Sequence, residues 1–368
     1  MPHLFDALRL KGVTFANRIG VSPMCQYSCT DGMANDWHLV HLGTRAAGGA
    51  GLVFTEAAGV TPEGRISPED LGAWSEAHFE PLERIARFIH GQGAVAGIQL
   101  AHAGRKGSTY RPWSGQGMVA PKDGGWQTLA PSAQSFADDY PMPKELTVGG
   151  IADLQKAFVR AAKRSVNAGF GVIEIHAAHG YLFHEFLSPL SNARTDEYGG
   201  GFENRTRFLR DTVAAVRGAI PDRCPLVVRI SCTDWAPAST PDSWDIEQSV
   251  ELARRLKAQG VDMIDCSSGG NLKDARIPIG AGYQTPFAAR IRREVGIATA
   301  TVGLITGASQ ADQIIRNEEA DMTLLARELL RNPYWPLQAA QELGIDAAWP
   351  AQYLRAAPKG AKERVGVD

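Results

Sequence analysis

The sequence predicts an α/β protein, a (β/α)8 TIM barrel in a single domain, and three observations predict it. Eight short apolar or β-branched runs recur along the 368 residues, with amphipathic helical stretches between them. The runs are apolar almost throughout rather than alternating, as strands buried on both faces must be. No Gly-x-Gly-x-x-Gly follows the first run, which counts against the doubly wound open sheet that shares the same alternation.

Each element has its own warrant. Residues 8–16 read as a hairpin that closes the barrel floor. The strands follow at 18–21, 51–56, 94–99, 171–176, 226–231, 261–267, 298–303 and 321–326. Apolar residues at three and four spacing place helices at 77–90, 151–168, 203–219, 246–259, 287–295 and 308–317. Glycines after Ala168, Gln259 and Val295 mark helix ends. Residues 103–147 break the rhythm, being dense in Pro, Gly, Trp and Ser. They read as a long capping insertion after the third strand, over the active-site mouth, with Trp113 and Trp126 as pocket candidates.

Composition excludes several classes. Thirty-eight basic and 40 acidic residues nearly balance and no Lys/Arg block stands out, so neither nucleic acid nor a membrane surface is the expected partner. A small molecule is. Five cysteines without a CxxC pair, and an N-terminus without an apolar signal region, lead us to expect a reducing cytoplasm. No apolar run approaches the ~20 residues needed to cross a bilayer.

In a barrel of this kind chemistry sits where strands end at their C-terminal side. The run at 171–176 leads straight into His176, His179 and Tyr181. Two imidazoles can grip a developing oxyanion and a phenol can supply a proton, which suits polarising a carbonyl compound and protonating the adjacent carbon. The electrons must come from elsewhere. The other strand ends are rich in donors and poor in carboxylates beyond Glu56 and Asp234, so no metal is expected. Gly303, Ala326 and Arg327 stand after the last two strands, where barrels of this type hold phosphate on free backbone N–H groups. Arg229 interrupts an enclosed apolar strand and needs an anionic or strongly polar partner, which a cofactor that becomes negative on reduction would supply. Cys25 fits either a cofactor wall or inert core.

Five segments occur in order: Pro23-Met-Cys25-Gln-Tyr27, Gln99-Leu-Ala-His-Ala-Gly-Arg-Lys106, His176-Ala-Ala-His179-Gly-Tyr181, the stretch Ser188 to Gly200 with Glu203-Asn-Arg205, and Ala326-Arg327-Glu-Leu329. Together they resemble the old yellow enzymes, most of all the bacterial branch that contains xenobiotic reductase A. The resemblance implies a barrel that holds FMN non-covalently, is reduced by NADPH or NADH, and is reoxidised by an activated alkene in a ping-pong cycle. Ser22, Pro23, Met24 and Cys25 would line the flavin ring, with Cys25 near N5. Ala57 and Gln99 would contact the ring, Arg229 would lie near N1 and the C2 carbonyl, and Ala326 and Arg327 would hold the phosphate. Many relatives have Gly where this chain has Ala326.

The same resemblance implies that His176 and His179 bind the substrate carbonyl while Tyr181 protonates the α-carbon. Tyr27 would assist at the carbonyl end and Lys106 would form part of the wall. Gln352-Tyr353-Leu-Arg355 is similar to the tail motif through which this branch sends an arginine into the neighbouring subunit's site. A homodimer or homotetramer with residues 345–368 at the interface would follow. Relatives of the dienoyl-CoA reductase type carry a cysteine cluster and a further domain, and this chain has neither that cluster nor that length. The alternative from another class is a flavin-binding redox sensor that uses Cys25 without a metabolic substrate.

Overall fold

The computed structural model of the chain describes residues 1–240 and 242–366. Its strands are β1 (Leu8–Leu10), β2 (Val13–Phe15), β3 (Ile19–Val21), β4 (Leu52–Gly59), β5 (Val95–Ala101), β6 (Leu129–Ala130), β7 (Lys144–Glu145), β8 (Val172–Ala177), β9 (Leu226–Ser231), β10 (Met263–Ser267), β11 (Ala298–Thr301) and β12 (Met322–Leu325). Eight of them, β3, β4, β5, β8, β9, β10, β11 and β12 in that order, close into a barrel whose ladders are all parallel. Every run expected from the sequence lies on one of these strands. β1 and β2 form the antiparallel hairpin, and its Leu8, Leu10 and Phe15 pack with Val95, Val172, Val227 and Met263 at the starts of the strands.

The helices are α1 (Asp36–Ala47), α2 (Phe79–Gly91), α3 (Val148–Asn167), α4 (Leu182–Leu187), α5 (Phe202–Arg217), α6 (Ile246–Ala258), α7 (Thr285–Val295), α8 (Ala308–Arg316), α9 (Arg327–Arg331) and α10 (Trp335–Glu342). The six expected from periodicity correspond to α2, α3, α5, α6, α7 and α8. The sequence reading did not anticipate α1, α4, α9 and α10. In α1, Asn35 caps the first turn by accepting from Trp37 N, while His38 Nδ1 accepts from Asn35 N. None of the helices described is long and apolar enough to cross a membrane.

Alternate residues of each strand point to opposite faces. The outward ones, such as Ile173, Ile175, Val228, Ile230 and Ile264, join the cluster packed against the helices. The inward ones follow a progression that three neighbouring strands share. β8 presents Val172, Glu174 and His176; β9 presents Val227, Arg229 and Ser231; β10 presents Met263, Asp265 and Ser267. The barrel interior thus rises from an apolar floor through a charged middle layer to a polar rim.

Residues 103–147 follow β5 and contain only the short β6–β7 pair and isolated turns. They pack on the strand-end loops. Trp126 Nε1 donates to Glu63 O at 2.9 Å, the Arg65 guanidinium stacks over its ring, and Trp113 meets Tyr27 edge-on at 5.9 Å.

Candidate active site

A cleft of about 270 Å3 opens at the C-terminal ends of the strands. Ser22, Pro23, Cys25 and Tyr27 line it from the loop after β3, Ala57 from β4 and Gln99 from β5. His176, His179 and Tyr181 enter from the end of β8, Arg229 from β9 and Ala326 from the end of β12. A second cleft of about 200 Å3 shares His179, Arg229, Val302 and Ala326 with the first, and Gly303 and Arg327 line it. Residues expected at a ring and at a phosphate therefore border one connected depression. A larger groove of about 900 Å3, lined by Val13, His90 and Arg223 among others, lies at the floor by the hairpin and carries none of these groups.

Met24, Lys106, Trp113, Trp126 and Arg355 do not line either cleft. Met24 packs against the hydrophobic core, and its carbonyl accepts from Gln26 Nε2. Arg355 is exposed in the short turn Ala351–Ala356, outside the cleft of its own chain.

Local backbone geometry presents the reactive side chains. Tyr27 and His179 both adopt left-handed φ, at 48° and 59°, in the region that costs a non-glycine residue energy unless its surroundings hold it. His179 N donates to Ser231 Oγ at 2.9 Å, and the turn lies backbone to backbone on Gly270. A Cβ on Gly180 would fall 2.2 Å from Gly270 O, so only glycine fits there.

Hydrogen bonds restrict the tautomers. Ala178 N donates to His176 Nδ1 at 3.3 Å, which leaves the hydrogen of a neutral ring on Nε2. His179 Nε2 lies 2.6 Å from Ser267 Oγ. Gln284 fixes the far side of this pair, since its Nε2 donates to Val302 O while its Oε1 accepts from Ser268 at 2.8 Å and from Ser267 at 3.2 Å. His176 faces His179 and Tyr181 edge-on, with 5.1 Å between ring centroids in each case.

Electrostatics sets the charge states. Burial, and after it the Arg229 cation, pushes both His176 and His179 well below the ordinary imidazole range, so both are neutral at physiological pH. Burial drives the Tyr181 phenol well above 10 and keeps it protonated. Lys106, absorbed from the insertion, donates to His179 O at 2.8 Å and Gly270 O at 3.0 Å, and its ammonium lies 5.1 Å from the Tyr181 ring. Burial brings its pKa down to about 8. Burial, then Asp70 and Glu56, hold the Cys25 thiol well above its usual range.

Arg229 lines the cleft and also has a charged neighbour in the barrel. One partner is within the chain: Asp265 Oδ2 on the adjacent strand lies 3.1 Å from Nε, and both residues are buried. The contact is close enough for charge pairing but too far off line to satisfy the hydrogen bond. Arg229 Nη1 also donates to Ser22 Oγ at 3.2 Å. Asp265 and Glu174 were not singled out in the sequence, although the period-2 placement of acids in apolar strands is the signal that could have found them.

Acidic and thiol groups do converge beneath the cleft. Cys29, His38 and Glu56 form one cluster, and Cys25, Glu56 and Asp70 another. Hydrogen bonds account for the first, with His38 Nε2 3.1 Å from Glu56 Oε1 and 3.3 Å from Cys29 Sγ. Asp234 is committed to His184 at 3.0 Å and Ser188 at 2.6 Å.

A profile of the NADH:flavin oxidoreductase / NADH oxidase family matches residues 3–345. The chain belongs to this family. An NADPH dehydrogenase of Geobacillus sp. (strain WCH70) is 49% identical over 354 residues, covering 96% of this chain and 98% of the relative. One from Geobacillus thermodenitrificans (strain NG80-2) is 48% identical over the same shares. Among solved structures, morphinone reductase superposes with a TM-score of 0.77 at 25% identity, covering 94% of this chain and 90% of its own.

The chain is an FMN-family oxidoreductase, and its cleft fits the cofactor. A flavin phosphate is planar, anionic and edged with carbonyls. The first cleft offers Ser22, Gln99 and Arg229 with no carboxylate on its lining, and the second adds Arg327 and Arg331, the latter paired with the one carboxylate there, Glu328.

Proposed function

We propose that this protein is an ene-reductase that uses NADPH or NADH to reduce the C=C bond of α,β-unsaturated aldehydes, ketones, maleimides and nitroalkenes. The observation that carries the reading is the convergence of His176, His179 and Tyr181 on one cleft with Cys25, Gln99 and Arg229. FMN, held by Ser22, Pro23, Cys25, Ala57, Gln99 and Arg229, with Gly303, Ala326 and Arg327 toward its phosphate, supplies the hydride.

The chain's own residues handle the oxygen and the proton. His176 donates Nε2–H to the substrate carbonyl oxygen. The Ser267 hydroxyl lies 2.6 Å from His179 Nε2 and 3.2 Å from Gln284 Oε1, and when its hydrogen goes to the nearer His179 Nε2 the hydrogen of that ring sits on Nδ1 as the second donor. These bonds strengthen as negative charge builds on the oxygen, and that difference is what accelerates the reaction. Tyr181 then gives its proton to the α-carbon. The Lys106 ammonium beside its ring offsets the phenolate charge left behind. Tyr27 steadies the carbonyl end.

Anaerobic reduction of the purified yellow protein by NADPH, followed by reoxidation with cyclohexenone, tests the reading. A protein that cannot be loaded with FMN, or whose reduced form ignores the enone, overturns it. The redox-sensor alternative is the weaker one. It requires a Cys25 thiolate, whereas burial, Asp70 and Glu56 all keep that sulfur protonated.

Neutral imidazoles also have a kinetic consequence. Because His176 and His179 titrate well below 6.5, enone reduction by the loaded enzyme is expected to stay constant between about pH 5.5 and 7.5. A limb centred near pH 6.5 would show an imidazole gaining a proton during the cycle, contrary to the assignment.

The same reading extends to architecture. The whole chain would form one domain, with residues 103–147 capping the mouth. Trp37 and Val40 are 54% and 61% exposed, and Tyr353 and Arg355 are also exposed. This surface supports a homodimer or homotetramer in which Arg355 reaches the neighbouring site. The last two residues of the 345–368 tail lie outside the described residues. All five cysteines are free, in keeping with a cytoplasmic protein.

A further inference from the structure

Below the cleft, the middle layer of the barrel holds two carboxyls, Glu174 and Asp265, and one guanidinium, Arg229. Glu174 has no solvent exposure and takes no part in the chemistry described above. Its Oε1 accepts from Gln99 Nε2 at 2.7 Å across adjacent strands, and Gln99 and Glu174 are direct partners in the β5–β8 ladder. The other oxygen, Oε2, is buried without a partner. Gln99 is itself buried on its strand and lines the cleft.

An amide has two faces of opposite hydrogen-bonding sense, and a carboxyl oxygen below it accepts only from the N–H2 side. The carbonyl Oε1 of Gln99 has no partner among the described residues and is left for whatever occupies the cleft. Protonation of Glu174 on Oε2, the oxygen without a partner, does not change this. Burial and the nearby Asp265 favour the neutral form while Arg229 and Gln99 oppose it, but a proton on Oε2 leaves Oε1 an acceptor.

We propose that Glu174 is a positioning residue that fixes the sense of Gln99, so that the cleft floor meets the flavin with a hydrogen-bond acceptor rather than a donor. A flavin's pyrimidine edge has a single imide N–H between two carbonyls, and an acceptor at this point selects that hydrogen. It also denies the reduced, electron-rich ring a donor that would stabilise it. Glu174 therefore both favours FMN binding and holds the flavin potential low. The inference rests on the cleft being the FMN site.

The test compares wild type with Glu174→Gln and with the exchanged pair Gln99→Glu/Glu174→Gln, read by FMN dissociation constant, flavin midpoint potential and melting temperature of the apoprotein. In Glu174→Gln either amide can turn over. FMN is expected to bind about ten-fold more weakly, the factor one hydrogen bond is worth, and the potential to move positive. The exchanged pair keeps one carboxyl and one amide in the layer, with the amide N–H2 directed to the carboxyl and an acceptor oxygen left toward the cleft. Its FMN affinity is expected within about three-fold of wild type and its potential back near the wild-type value, an outcome that still decides the matter if the single variant folds poorly. An unchanged affinity and potential in folded Glu174→Gln, or no recovery in the exchanged pair, overturns the role of Glu174. Failure of the wild-type protein to bind FMN overturns the cleft assignment instead.

Discussion

Tyr181→Phe is expected to leave reduction of the bound flavin by NADPH close to wild type while slowing reoxidation by cyclohexenone by about 10^2–10^4, the range a positioned general acid contributes. The phenol supplies no contact that the hydride-accepting step alone would need, and the phenyl ring keeps the edge-on packing against His176 at 5.1 Å. Lys106 keeps its two carbonyl acceptors as well. Only the proton is removed. Stopped-flow measurement of the two half-reactions separates them, and equal slowing of both would mean that the tyrosine shapes the pocket rather than delivering hydrogen.

Arg229→Met should act on stability and cofactor retention together. Asp265 and Glu174 would remain in the barrel interior without their cation, and breaking a buried ion pair from one side costs about 3–5 kcal/mol. Urea unfolding of the apoprotein measures this, and the flavin content of the purified variant is expected to be near zero. The double variant Arg229→Met/Asp265→Leu is the informative control. Replacing both partners by apolar side chains is often close to neutral, so it should recover most of the lost stability while still lacking FMN. A single variant as stable as wild type would show that the carboxyls never needed the guanidinium.

The barrel was legible because its strands are buried on both sides, which makes runs such as Leu226-Val-Val and Met322-Thr-Leu-Leu almost uniformly apolar. Helices with one wet face, such as α2 and α8, were legible for the complementary reason. α1 was not. Its Trp37 and Val40 are exposed while His38, His41 and Arg45 are buried, which inverts the expected stripe, and its cap pairs Asn35 with a histidine rather than with Glu or Gln. α4 is buried at every position and only six residues long, so no period can emerge from it. In the site, residues next to each other in sequence, His176, His179 and Tyr181, could be read directly. The pairing of Arg229 with Asp265, and of Gln99 with Glu174, depends on strand register and becomes visible only when neighbouring strands are laid side by side.

The hairpin β1–β2 plugs the lower end of the barrel with Leu8, Leu10 and Phe15. A plugged tube has one doorway. On the proposed reading, nicotinamide, alkene and the water that restores the tyrosine hydrogen would all pass the same threshold, and no visitor could be served until the previous one had left. Excess reductant would then crowd out the alkene, so that on this reading the nicotinamide level would be a brake as well as a fuel.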